Sequence, residues 1–124
     1  MILQDFINSY PDIGMWILRL SVAAIFIYHS IPKLRAPSAM AGSIGWGSGA
    51  VLILGFVELI CGIGLIFSDA YAQVSAILLG IVMFGAIYYK IIRWHVPFSA
   101  HDKTGWEFDL ILLTALVAIF YSST

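Results

Sequence analysis

Only one cysteine, Cys61, occurs among the 124 residues. A single thiol excludes an intrachain disulfide, a C-x-x-C redox pair and a four-cysteine cluster site, and with them dithiol-coupled quinone oxidation. Inside an apolar run, Cys61 reads as a small buried side chain. Charge is equally scarce: Asp, Glu, Lys and Arg make up 10% of the chain, against roughly 25% in a soluble domain. The net charge of -1 leaves no basic surface for nucleic acid. Of three histidines, His95 and His101 fall in a polar stretch and only His29 lies deep in an apolar run, which disfavours bis-histidine haem. What remains is 61% hydrophobic, with a mean hydropathy of +0.98. The expectation is an integral membrane protein without a water-soluble domain.

Four apolar runs predict helices over about 13–34, 50–67, 70–92 and 105–122. At 1.5 Å per residue the first is about 30 Å long, the thickness of a bilayer core. The expected fold is all-α, a four-transmembrane-helix bundle forming one domain over residues 1–124. Pro11 and Asp12 suit the start of the first helix, and Pro32 should bend or stop it near its end. Asp69 is the expected N-cap of the third helix. Thr104-Gly105-Trp106-Glu107 has the spacing of a capping box at the start of the fourth. Residues 1–12 carry Ile2, Leu3, Phe6, Ile7 and Tyr10, a composition suited to a short turn lying on the membrane surface. The N-terminus shows neither the basic start nor the small-residue cleavage site of a signal peptide, so the first run is expected to be retained. Residues 35–49 hold Gly42, Gly45, Gly47 and Gly49 with Ser38, Ser43 and Ser48. They read as a loop or a short re-entrant segment, with Trp46 anchored at headgroup level. Residues 93–104 read as a polar loop.

Basic residues set the expected orientation. Lys33 and Arg35 flank the first loop, and Lys90, Arg93 and Lys103 flank the third, so five of the six basic residues share one face. The positive-inside rule makes that face cytoplasmic and puts both termini on the external, periplasmic side of a prokaryotic inner membrane. Gly55 and Gly62, seven residues apart, share a face of the second helix. Gly80 and Gly85, with Ala76, are expected to serve the third helix similarly, because small residues let helix backbones approach in lipid.

A few polar residues interrupt the apolar runs. His29 and Lys33 are i,i+4 and lie on one stripe of the first helix. Glu58 stands at similar depth on the second, and Glu58–His29 is the favoured pair, with Lys33 next. Arg19 lies in the external half of the first helix, with Asp12 the one acid near its depth, so it either snorkels outward or pairs within the bundle. Lys90 ends the third helix after Tyr88 and Tyr89. Glu107 and Asp109 project about 160° apart; Glu107 suits the capping box, and Asp109 is expected to point inward to Lys33 or Lys90. His29, Lys33, Glu58, Lys90 and Asp109 thus form a candidate pocket at the cytoplasmic end, walled by Tyr28, Tyr88 and Trp106. A quinone head needs a hydrogen-bond donor at each carbonyl and an apolar route from the lipid. His29 and Lys33 can donate, and Glu58 can relay a proton. The competing reading is a polar cluster that only holds the helices together. Ligation of a single chlorophyll-type magnesium by His29 has no other support in the sequence, and no intrinsic cofactor is expected.

With these residues in place, the chain resembles the DoxX family of small four-helix membrane proteins. The likeness rests on Leu18-Arg19-Leu20, on Ile27-Tyr28-His29-Ser30-Ile31-Pro32-Lys33-Leu34 and on Gly55-Phe56-Val57-Glu58-Leu59-Ile60-Cys61-Gly62. Gly85-Ala86-Ile87-Tyr88-Tyr89-Lys90 and Gly105-Trp106-Glu107-Phe108-Asp109-Leu110 complete it, over about residues 14–120. Ser30 stands where the family usually has a glycine. The family's arginine, histidine, lysine and glutamate fall on Arg19, His29, Lys33 and Glu58. The resemblance implies a four-helix bundle linked to membrane redox complexes: one branch is a subunit of a thiosulfate:quinone oxidoreductase, another is tied to thiol and oxidative-stress systems. The expected function is a small accessory subunit of a larger redox complex, without catalytic activity alone, contributing assembly and quinone or lipid contact. Electrons would be carried by other integral membrane subunits. Two alternatives stay open: a quinone-reactive subunit with its own pocket, and a small-solute or lipid-handling membrane protein.

Overall fold

The computed structural model describes residues 1–101 and 103–124, with Ser43 described by its backbone alone. The polar loop over 93–104 is therefore described except at 102, and the Ser43 side chain lies outside the described residues. Six α-helices and one π-helical turn account for the ordered elements, and no strand occurs among the described residues. They are α1 (Ile2–Ser9), α2 (Ile13–Arg35), α3 (Pro37–Ile44), α4 (Ser48–Gly64), α5 (Asp69–Tyr88), the π turn (Tyr89–Arg93) and α6 (Trp106–Ser122).

Each boundary has a local cause. The surface turn expected near the N-terminus is a full helix, α1, exposed along its length. Pro32 does not stop α2. The helix runs three residues further to Arg35 and closes with the Ala36 N–H on the Pro32 carbonyl. The stretch read as a loop over 35–49 contains α3, opened by Pro37 in its first turn and ended by Gly45 at φ 83°. Those are the ordinary start and stop signals of a helix. Asp69 is not the N-cap of α5. Ser68 is, its Oγ accepting from the Tyr71 N–H at 3.4 Å, and Asp69 opens the helix proper. The capping box does not form either, because the Glu107 N–H that Thr104 would have to satisfy already donates to the Phe98 carbonyl at 3.1 Å. Gly105 is the N-cap instead, and a Cβ there would collide with the Phe98 carbonyl oxygen.

The four long helices close a ring, α2 against α4, α4 against α5, α5 against α6 and α6 against α2, with α3 laid across α4 and α2. Phe26, Leu65, Leu79, Leu116 and Ile119 fill its centre with almost no exposed surface. The outward faces are apolar as well: Ile53, Ile60, Ile81, Phe84 and Ile111 are all more than half exposed. Two helical stretches, Ile13–Arg35 and Asp69–Arg93, are long and apolar enough to cross a membrane, and Ser48–Gly64 is a shorter apolar helix. Gly55 and Gly62 both lie in the α2–α4 seam as expected. A Cβ on Gly55 would come 2.9 Å from the Lys33 Cβ, and one on Gly62 would sit 3.1 Å from Ile27. The expected role of Gly85 in packing fails, because a Cβ there meets nothing within 4 Å. The closest approach of α4 to α5 is instead at Gly64, where a Cβ would overlap the Ser75 Oγ.

Arg19 ties the other end of the ring. Its partner is Asp69, the first residue of α5 and the residue expected to cap that helix, with Nη1 to Oδ1 at 3.1 Å. Its Nε also donates to the Leu65 carbonyl at 2.6 Å, and the guanidinium lies 4.2 Å from the centre of the Trp16 ring. The group is 3% exposed overall. It takes up the Leu65 carbonyl at the C-terminus of α4 and fastens the turn to α2. The Asp69 side chain is 71% exposed, so its charge adds little, whereas losing the buried donor leaves the Leu65 carbonyl without a partner. Arg19→Ala should therefore lower stability by about 1.5–3 kcal/mol, and Asp69→Ala by less than about 1 kcal/mol. Unfolding of the two variants in detergent, followed by circular dichroism, measures the difference.

Candidate functional site

At the end of the ring opposite Arg19, α2 and α5 finish while α4 and α6 begin. Gly55 lets α4 press against the Lys33 Cβ and the Leu34 side chain, and Glu58 stands one turn further along the same helix. The Lys33 Nζ therefore meets Glu58 at 2.9 Å from Oε1 and 3.1 Å from Oε2, and also donates to the His29 carbonyl at 3.2 Å. Both side chains are buried, 10% and 4% exposed. The favoured sequence pairing of Glu58 with His29 is thus corrected: the carboxylate is taken by Lys33. A side chain in a helix leans toward the N-terminus, so the long lysine chain folds back by a turn and its ammonium reaches the depth of His29. The His29 ring instead lies between Tyr28, at a centroid distance of 5.7 Å, and Phe108, at 6.0 Å.

A second pair closes the other side. Lys90 Nζ lies 2.6 Å from Asp109 Oδ2, with the side chains 16% and 8% exposed. Of the two partners open to Asp109, the structure selects Lys90. The contact is ionic rather than a well-aligned hydrogen bond, as Oδ2 has no partner that meets hydrogen-bond geometry. Lys90 stands in the π turn, where the Trp94 N–H reaches back five residues to the Tyr89 carbonyl at 2.8 Å. Such a widened turn re-aims the side chains it carries and recurs at functional sites.

His29, Lys33, Glu58, Lys90 and Asp109 all line one cavity of about 480 Å³. That volume falls in the range of small-molecule sites, which are mostly apolar with a few converging polar groups. Phe26, Leu54, Met83 and Leu112 supply the apolar wall. The aromatic wall differs from the expected one. Tyr28 and Tyr88 are exposed and do not line the cavity, and Trp106 stacks edge-on against Phe98 at 4.5 Å. Trp46, Tyr89, Trp94 and Phe108 line it instead, and the Trp46 Nε1 donates to the Tyr89 hydroxyl at 2.8 Å. Met40 and Ile44 of α3 complete that side. Trp46 follows a glycine-rich stretch in the sequence, which points to a surface anchor and gives no sign that α3 folds it over a cavity. Among the described residues no group of three or more His, Cys, Asp and Glu side chains is placed to hold a metal ion.

The buried Lys33–Glu58 pair generates a stability prediction. Glu58→Ala strands the ammonium in an apolar wall and should cost about 3–5 kcal/mol, while Lys33→Met combined with Glu58→Leu should recover most of that loss. Thermal unfolding of the three proteins in one detergent decides it. Comparison with known proteins adds one finding. No curated protein and no solved structure matches the chain, but a family model, DoxX, matches residues 14–94. The matched region carries Arg19, His29, Lys33, Glu58 and Lys90 and stops short of α6 with Asp109. It covers well over half of the sequence, and the chain belongs to the DoxX family.

Proposed function

We propose that this protein crosses the membrane four times, on α2, α4, α5 and α6, and holds the head of a quinone in the cavity as an accessory subunit of a larger redox complex. The observation that carries the reading is the convergence of two inter-helix ion pairs and His29 on one apolar cavity of about 480 Å³. The pairs neutralise each other's charge, so the cavity suits a neutral polar ring better than an ion. Lys33 is taken up by Glu58 and the His29 carbonyl, whereas Lys90 retains donor capacity beyond its carboxylate, since an ammonium carries three donors. His29 lines the same space, and its imidazole carries a ring donor. The apolar lining suits the rest of a quinone. With one thiol in the sequence, dithiol chemistry would have to come from a partner subunit, and the apolar outer faces of the helices suit both lipid and such a partner. Lys33, Arg35, Lys90, Arg93 and Lys103 stand at the cavity end or in the loop beside it, which by the positive-inside rule faces the cytoplasm of a prokaryotic inner membrane.

Quinone binding is tested with the full chain in lipid nanodiscs, because Trp46 and Trp94 report the cavity by fluorescence. Decylubiquinone should quench saturably, and His29→Ala should weaken the binding about tenfold, the worth of one good hydrogen bond. Equal quenching in both proteins would remove His29 from the site, and non-saturable quenching would end the quinone reading. Purification from native membranes tests the subunit role: a stoichiometric partner is expected, and migration of the chain alone contradicts it. For topology, a cysteine placed at Thr124 should be labelled by an impermeant maleimide from the external side and spared from the cytoplasmic side.

A further inference from the structure

Helices α4 and α5 form an antiparallel pair joined by the short connection at residues 65–68. Near that connection they touch: a Cβ on Gly64 would overlap the Ser75 Oγ and lie 3.7 Å from the Tyr71 carbonyl oxygen. Ten residues further along each helix, Leu54 and Gly85 stand at matching level, about 15 Å from the contact. Both residues line the cavity, Gly85 is exposed, and a Cβ built on it meets nothing within 4 Å. Ile81, one turn before Gly85, also lines the cavity while 64% exposed. Gly85 and Ile81 thus stand both on the exposed apolar face and on the cavity wall, so the wall has a gap to the outside beside α5 at this level.

We propose that this gap is a lateral window through which a membrane-borne ligand with a neutral head and an apolar chain passes from the lipid, and that Gly85 sets its width. The inference rests on the reading of the cavity as a quinone site. The head faces the ion pairs, and the chain lies in the window across Gly85 and out past Ile81 into the bilayer. Glycine is a poor helix former, and at position 85 no packing contact requires it. Its missing side chain is explained by what must pass.

Stopped-flow quenching of Trp46 and Trp94 by decylubiquinone in nanodiscs tests the window. Gly85→Leu adds bulk to open space and favours the helix, so it should fold and slow quenching about tenfold, an on-rate effect. Ile81→Phe, on the same edge, should slow it in the same direction, and Gly85→Ala should stay near the native rate. Native rates in both Gly85→Leu and Ile81→Phe would overturn the window while leaving quinone binding intact. If the native protein shows no saturable quenching, the quinone reading fails and the window is judged without it. In that case Met83→Cys in a Cys61→Ala background places a thiol on the cavity wall, alkylated by N-ethylmaleimide from the lipid. Adding Gly85→Leu should then slow alkylation about tenfold if the window controls access, and an unchanged rate would overturn it.

Discussion

The buried contact between Lys33 and Glu58 organises this molecule. A lone charge in the centre of a bilayer is disfavoured by about 2.5–3.5 kcal/mol on insertion scales. Here each of the two charges is answered by the other across a helix boundary, at 2.9 Å. The answer is possible because Gly55 has no side chain where α4 meets the Lys33 Cβ and the Leu34 side chain. One missing Cβ thus sets the distance between two helices, and that distance sets the ion pair. Sliding α2 against α4 by one turn would strand both charges, so the pair also fixes their register. Lys90 with Asp109 does the same for the α5 end and α6, and Arg19 does it for the turn at the far end.

Much of this was legible in the sequence. Four long apolar runs are a strong signal, and the observed helix ends fall close to the expected ones. The polar residues that matter were identifiable because they are so few: all five of the expected pocket residues line the cavity. What the sequence hid was reach and direction. Depth along a helix locates a Cα, and Lys33 projects back by a turn, which is why it and not His29 holds Glu58. Arg19 was hard to pair because its acid stands in the first turn of another helix, where Asp69 reads as a cap and not as the partner of a buried cation. The helix α3 was obscured by glycine and serine, which carry no hydrophobic period, although Pro37 and Gly45 mark its two ends. The aromatic wall was misplaced for the same reason: Trp46 and Trp94 come from segments without periodicity, and only the folded chain brings them to Tyr89.

Membership of the DoxX family and the helical structure agree that this is an integral membrane protein, and they meet at the same residues. The family match carries Arg19 at one end and His29, Lys33 and Glu58 at the other. In the fold those ends do different work. Arg19 is fully committed to protein atoms. The His29 end keeps open space beside its charges.

The two ion pairs at the cavity join α2 to α4 and the end of α5 to α6. Mechanically the chain is therefore two bolted planks of two helices each. Among the described residues the planks meet along the α4–α5 and α6–α2 seams without an ion pair at the cavity end, where the Trp46–Tyr89 hydrogen bond spans them. The cavity thus sits between two separately bolted helix pairs, latched at its rim by one hydrogen bond and at the far end by the Arg19 guanidinium.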